Sequence, residues 1–500
     1  MKKIYALLAC FGLAFVSCSD DDGPATTPVA PTPPPVEITS GSADFSNYVA
    51  VGNSLTAGFS DSALFVDGQT ASFPNMLAGN FALAGGGAFT IPFMADNLGG
   101  ATLNGQPVFG NRLILSFASG SPAPVPVSGT GSTEISNILS GPFNNMGVPG
   151  AKSFHLLLPG YGSLAGIPVG LANPYYARFA SAQDATILGD AAAQNPTFFT
   201  LWIGNNDILS FATSGGAGVD QLGNLNPASY GPNDITDPTV FGGVYTQLLQ
   251  TLTANGAGGA VANLPNVTSL PFFTTVPFNA VPLDAGTAAL LNSNFAAYNG
   301  GLQLAAANGL LTPEEVAQRT IVFQEGQNAM LMEDEDLTDL SATPIPLPNL
   351  RQTTAEDLIV FTAQTIIGTL VDPSNPTLIN GVSVPLADQW VLTPEEQASI
   401  TTAQTAFNQT IAALATQFNV ALVDAASFLD VVDVSGVPLA DGSTVTSTYA
   451  TGGGFSLDGV HPSPRGYALI ANLFTEAINE RYGSNLPPVN PLAFTGLYVN

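Results

Sequence analysis

The sequence predicts an α/β fold built on a parallel, doubly wound sheet. Two buried strands that run into polar turns, and a helix-then-strand rhythm repeated toward the C-terminus, carry that prediction. The first strand is Tyr48-Val-Ala-Val51, an apolar run that stops at Gly52. The second, Thr197-Phe-Phe-Thr-Leu-Trp-Ile203, is apolar, aromatic and β-branched, as a strand covered on both faces must be. It ends at Gly204-Asn-Asn-Asp207. A helix over 243–255 then leads into a short strand, Gly259–Leu264, whose exit is a proline-punctuated loop, Pro265–Pro277. A long amphipathic helix, Thr393–Phe418, places Ile400, Phe407, Ile411 and Leu414 near helical spacing and leads into the strand Asn419–Asp424. The last helix runs from about Pro464 to Tyr482.

The segments ahead of the first strand are of another kind. Lys2 and Lys3, an apolar run Ile4–Val16 and then Ser17-Cys18 have the layout of a secretory signal, and the run is too short to span a membrane. Phe-Val-Ser-Cys18 resembles a bacterial lipoprotein signal. That resemblance implies cleavage before Cys18, acylation of Cys18, and an exported protein anchored in the outer membrane. Ser19-Asp-Asp-Asp22 resembles the export signal of surface lipoproteins and extends the expectation to the cell surface. Residues 19–43, rich in Pro, Thr, Ala and Ser with Pro33-Pro34-Pro35 at the centre, read as an extended, acidic tether. The other cysteine, Cys10, lies in the leader, so the mature chain has no disulfide to form and relies on its core.

Of 9 basic residues, Lys2 and Lys3 fall in the leader; the remaining 7 face 37 acidic residues, a net charge of −30. Such a balance excludes nucleic acid as a partner and excludes electrostatic docking to anionic lipid. A monomer is expected. No linker-like segment interrupts the chain after residue 43.

Two stretches resist assignment and read as insertions. Residues 59–140 are rich in Gly, Ala and Phe without a clear period, with only Ser72–Leu77 helix-like. Phe89, Phe93 and Phe117 there either line an acyl-binding surface or, as is preferred, sit in the core beneath long loops. Residues 279–392, an insertion placed to cap the site, contain an acidic run, Glu333–Asp336, read as a solvated face because it lacks the spacing of a calcium loop. Leu311-Thr-Pro-Glu-Glu315 and Leu392-Thr-Pro-Glu-Glu396 look like a repeat but read as two helix starts with Thr as cap, Pro at the first position and Glu at the third.

The chemistry centres on Gly52-Asn-Ser-Leu55. Ser54, two residues past a buried strand, has its hydroxyl at the carboxyl edge of the sheet, where open α/β folds bind ligands. It is either a helix cap or a nucleophile, and a nucleophile needs a base, an orienting acid and an oxyanion site. The chain holds two histidines. His155 lies in the apolar run His-Leu-Leu-Leu, as a packed residue would. His461 lies in Asp458-Gly-Val-His461, where a tight turn lets the carboxylate reach the imidazole Nδ1 and leaves Nε2 facing outward. In Asn145-Met-Gly-Val-Pro-Gly150, Gly150 either makes a plain turn or presents its N–H to an oxyanion; Asn206 either caps a helix or donates its amide, and Asp207 can cap the same helix. Two scattered histidines and no mature cysteine argue against a zinc site, so neither metal nor other cofactor is expected.

Together these four blocks, Gly52–Leu55, Asn145–Gly150, Gly204–Asp207 and Asp458–His461, resemble the motifs of the SGNH hydrolases, also called GDSL esterases and lipases. The resemblance spans residues 48–467. It implies a flavodoxin-like three-layer α/β/α sandwich over 44–483, followed by a C-terminal tail at 484–500. It implies Ser54 as nucleophile, His461 as base and Asp458 as its orienting acid. Gly150, Asn206 and the Ser54 N–H would form the oxyanion hole. The chain departs from the family pattern in carrying Asn53 where an Asp is usual. The implied activity is ester hydrolysis on lipid, aryl or acetyl esters, small molecule or glycan. The competing expectation is a carbohydrate- or lipid-binding lipoprotein on a catalytically idle scaffold of the same kind. An outer-membrane barrel does not fit, because regular alternating segments are absent.

Overall fold

Five short parallel strands form the central sheet: β1 (Tyr48–Gly52), β2 (Asn145–Gly147), β3 (Phe198–Trp202), β4 (Gly258–Ala262) and β5 (Ala421–Val423). Their order is β2-β1-β3-β4-β5, the 2-1-3-4-5 order of a doubly wound sheet. β1 and β3 run side by side in register, Tyr48 opposite Phe198 and Gly52 opposite Trp202. Every residue of both strands is buried, which accounts for their continuous apolar sequence. The computed structural model describes residues 37–118 and 120–499. The leader, Cys18 and the tether up to residue 36 lie outside the described residues.

Helices cover both faces of the sheet. On one side α2 (Phe73–Ala82) packs against α8 (Pro464–Tyr482), with Phe73 stacked on Phe474 at 4.7 Å and meeting Trp202 edge-on at 5.8 Å. On the other, α4 (Pro238–Leu252) packs against α6 (Pro394–Gln417), with Phe241 stacked on Phe407 at 4.1 Å. Alternation along β3 explains the division: Phe198 and Trp202 meet rings of α2 and α8, while Phe199 and Leu201 point the other way. Shorter helices are α1 (Ser54–Ala57), α3 (Asn206–Thr213) and α7 (Ala425–Val434).

Several boundaries differ from expectation. The tether was expected to reach residue 43, yet the chain is already fixed before that. The Ser42 N–H donates to Tyr482 O at 2.8 Å and Ala43 is buried. Within 59–140, α2 belongs to the sandwich itself. Phe93 and Phe117 are 40% and 56% exposed, so they are not core residues; Phe89 alone of the three packs inward, stacked on Tyr48 at 5.1 Å. The described part of the tail, 484–499, is tied down through Arg465 N–H to Thr495 O at 3.0 Å and Leu115 N–H to Tyr498 O at 3.0 Å.

Residues 279–392 carry α5 (Ala285–Ala307) and small two-stranded antiparallel pairs, one of which, Leu358–Ile359 with Val391–Leu392, leads directly to α6. Buried side chains of this region join the main core. The twin Thr-Pro-Glu-Glu motifs start helices as read. Thr312 accepts from the Glu315 N–H at 3.2 Å, and Thr393 and Glu396 form a reciprocal capping box. Among the described residues no helix is long and apolar enough to cross a membrane.

Candidate active site

β1 ends at Gly52 because there is no room for a side chain: a Cβ would overlap Thr56 Oγ1 and Trp202 O. Gly147, its partner on β2, is under the same constraint, since a Cβ there would overlap Ala57 N. The two glycines let the turn after β1 close tightly over the sheet edge. Asn53, fully buried, then caps α1 by accepting the Leu55 N–H at 3.0 Å. Its amide donates to Asn205 Oδ1 at 3.0 Å, linking the turn after β1 to the turn after β3. An aspartate could not donate that bond, so the departure at position 53 has a structural partner in Asn205. Ser54, the first residue of α1, is 6% exposed.

His461 reaches Ser54 from 407 residues away, its Nε2 lying 2.9 Å from Ser54 Oγ. Its Nδ1 lies 2.9 Å from Asp458 Oδ2. The loop that holds them is folded on itself: Asp458 Oδ1 accepts the N–H groups of Val460 (2.9 Å) and His461 (2.8 Å), and His461 O accepts the Ser456 N–H at 2.8 Å. Ser463 then caps α8 with Pro464 at its first position, so the loop is anchored by a helix start. Burial opposes the charge on Asp458, but the His461 imidazole and the His461 and Ser62 N–H groups outweigh it and hold the carboxyl at about 2. An ionised Asp458 can only accept, so Nδ1 carries the imidazole hydrogen and Nε2 presents its lone pair to the Ser54 hydroxyl.

This enhanced acidity has a consequence whose sign can be measured. A carboxyl held lower in the folded than in the unfolded chain stabilises the fold fully above about pH 4, and that stabilisation is lost as the pH falls toward about 2. The stability advantage of the wild type over Asp458→Asn is therefore expected to shrink by about 2 kcal/mol between pH ~5 and pH ~2 in urea denaturation. An advantage that does not change with pH would exclude an ionised, hydrogen-bonded Asp458.

The two segments expected to supply oxyanion donors are joined to each other beside Ser54. The Val148 N–H donates to Gly52 O at 3.0 Å, which carries the chain from β2 to Gly150 along the same sheet edge. Gly150 is exposed, with φ +79°. Among the described residues neither its N–H nor that of Ser54 has a protein acceptor. Asn206 spends one amide hydrogen on Ala151 O at 2.9 Å and lines the cavity that Ser54 and His461 also line. Asp207 does not cap α3; Asn205 stands at that position. Asp207 is fully buried and accepts from Ser153 N–H (2.8 Å) and Oγ (2.6 Å), fixing the segment after Gly150 to α3.

His155 is not part of this arrangement. Its Nδ1 accepts the Lys152 N–H at 3.0 Å and its ring stacks on Tyr161 at 4.5 Å. Burial, with the Lys152 charge, pushes it down to about 4.

The sequence left Asp61 and Ser62 unassigned in a stretch read as insertion, yet they brace the acid. The Ser62 N–H donates to Asp458 Oδ2 at 2.9 Å, Asp61 N–H to Ser456 Oγ at 2.9 Å, and Leu457 N–H to Asp61 Oδ1 at 2.9 Å. Asp61 and Ser62 both have positive φ, 51° and 64°, a conformation that few non-glycine residues adopt. The polar cluster Ser60-Asp-Ser62 between apolar residues was the available sign of this turn.

Two recesses adjoin the Ser54–His461 pair. One is a cavity with an almost wholly apolar lining, between α7, α8 and the loops around Val445 and Phe455; Leu209, Phe428, Val432 and Leu469 are among its walls. The other is an open groove of about 330 Å³ on the Asp458 side, where Phe59, Phe272 and Phe361 surround His461. Phe361 comes from the 279–392 region, which therefore borders the site. Compared with protein families, curated proteins and solved structures, the chain matches none.

Proposed function

We propose that the protein is a serine ester hydrolase of the SGNH (GDSL) kind, acting through an acyl-enzyme, on a flavodoxin-like three-layer sandwich. The observation that carries this is the continuous chain Ser54 Oγ–His461 Nε2, 2.9 Å, and His461 Nδ1–Asp458 Oδ2, 2.9 Å, at the carboxyl edge of β1. That edge lies where the strand order reverses, the place at which doubly wound sheets take their ligands.

The steps follow from the hydrogen-bond directions. His461 Nε2 takes the Ser54 proton as Oγ bonds to the ester carbonyl carbon, and the carbonyl π-electrons move to the oxygen. The N–H groups of Ser54 and Gly150 and the second amide hydrogen of Asn206 are the donors for that oxyanion; one such donor contributes about 3 kcal/mol to a transition state. The tetrahedral intermediate collapses, the imidazolium gives its proton to the departing alkoxide, and the acyl group stays on Ser54. Water, deprotonated by the same Nε2, then releases the carboxylic acid and restores the hydroxyl. Asp458 remains ionised throughout and balances the imidazolium.

The apolar lining of the cavity beside Ser54 favours an acyl chain over a glycan acetyl group. Export and anchoring through an acylated Cys18 fit a lipid-facing esterase and belong to the same proposal. A ladder of p-nitrophenyl esters from acetate to palmitate tests it, with fluorophosphonate labelling in parallel. The expected result is turnover that rises with chain length and one label, on Ser54. No turnover and no label on Ser54 would leave the idle binding scaffold in its place.

A further inference from the structure

The acidic run Glu333–Asp336 is solvated at Glu333, Glu335 and Asp336, as its composition suggests, but Asp334 turns inward. Asp334 is 2% exposed and pairs with Arg351, whose guanidinium also takes Asp357 through two bonds of 2.6 and 2.7 Å. Next to this buried pair, carboxylates from three separate segments converge: Glu335 from the run itself, Asp388 from the turn before Val391, and Glu396 from the first turn of α6. One oxygen of each lies within 4.8 Å of the others. Oxygens on a sphere of about 2.4 Å radius around a cation are at most ~4.8 Å apart, so this spacing accommodates a shared ion.

Glu396 separates the cluster from an ordinary acidic surface. It is 7% exposed. Its Oε2 accepts the Thr393 N–H at 2.7 Å to complete the capping box, whereas Oε1 is buried without a hydrogen-bond partner among the described residues. A buried carboxylate oxygen left unpaired is costly unless something positive meets it. That oxygen lies against Gly216, where φ is +85° and a Cβ would overlap it. Gly216, Glu335 and Asp388 line one open groove. Burial and the charges of Asp388 and Glu335 push Glu396 up to about 8, and burial with the run's charges pushes Asp388 up to about 6. Among the described residues the cluster itself holds no basic side chain, and the neighbouring Arg351 is already paired with Asp334 and Asp357.

We propose that Glu335, Asp388 and Glu396 bind one calcium ion. The donors are all oxygen, which selects a hard cation over zinc or copper. They come from three segments and include an exposed carboxylate, a setting that suits the variable coordination of calcium better than the strict octahedron of magnesium. The ion would tie the 279–392 region to α6, whose Glu396 lies against Gly216 in the turn that ends α3. Since α3 begins at Asn206, it would also steady one wall of the active site from a distance.

Calcium chloride titrated calorimetrically into the chelator-treated, purified chain tests this, with thermal melting alongside. One ion per chain is expected, with a dissociation constant on the order of 10⁻⁵ to 10⁻³ M, and melting rises by a few degrees at saturation. Glutamine at 396 keeps the capping bonds, so Glu396→Gln should melt no lower than wild type in chelator, yet bind calcium at least tenfold more weakly and lose the calcium-dependent rise. Asp388→Asn should do the same. Absence of binding up to about 10 mM calcium, or equal binding by wild type and both variants, would overturn the assignment. So would variants that melt lower by the same amount with and without calcium.

Discussion

Ser54→Ala is expected to remove ester turnover, with kcat falling by roughly 10⁴ to 10⁶, while the protein keeps its fold. The loss is large because in the proposed mechanism the serine supplies the atom that becomes acylated, and what would survive is only what the oxyanion donors and binding provide. The fold survives because, among the described residues, the hydroxyl's hydrogen-bond partner is the His461 Nε2 alone. The cap of α1 is Asn53, not Ser54, and His461 stays held by Asp458 and its own loop. Removing one hydroxyl that makes a single hydrogen bond then costs about 1 kcal/mol of stability. Release of p-nitrophenol, the mass of the fluorophosphonate adduct and a melting curve read the three consequences separately. Should the alanine variant retain a tenth or more of wild-type turnover, Ser54 is not the nucleophile.

How far such a site is legible in sequence depends on the distance over which each part is specified. Asp458 and His461 are three residues apart, and their turn is fixed by bonds within Ser456–Pro462, so local spacing was enough. The twin Thr-Pro-Glu-Glu starts were equally readable, because a cap is a contact within one turn. β3 is apolar throughout and α6 is long and patterned, and their observed ends fall within about two residues of expectation. β2 was not legible: three residues, Asn-Met-Gly, carry no period, and only register against β1 makes them a strand. α7, directly after β5, was missed for a related reason, since a ten-residue helix adjoining a strand blurs into one apolar stretch. The Asn53–Asn205 pair and the bracing of Asp458 by Ser62 join residues 152 and 396 apart, which no local pattern can announce. Glu396 shows the limit most plainly. Its capping role could be read from four residues, whereas its approach to Glu335 and Asp388 needed the fold.

The largest change in specificity is expected from Val432→Trp. Val432 is 4% exposed, lies on α7 and forms part of the apolar cavity that Ser54 and His461 also line. Each methylene moved from water into such a lining contributes about 0.8 kcal/mol. An indole that denies the cavity four methylenes should therefore remove about 3 kcal/mol from long-chain esters, on the order of 10² in kcat/KM, and leave p-nitrophenyl acetate within about twofold. Overpacking costs about 1–3 kcal/mol of stability, which the acetate rate monitors because an unfolded fraction lowers every ester alike. Val432→Ala, which widens the same wall, should move the optimum toward longer chains. Because the p-nitrophenyl leaving group is constant along the ladder, opposite shifts from the two variants would assign the cavity to the acyl moiety. If both leave the acyl ladder flat but change discrimination among alkyl acetates, the cavity holds the alcohol instead. The acyl chain must then lie in the groove bordered by Phe272 and Phe361.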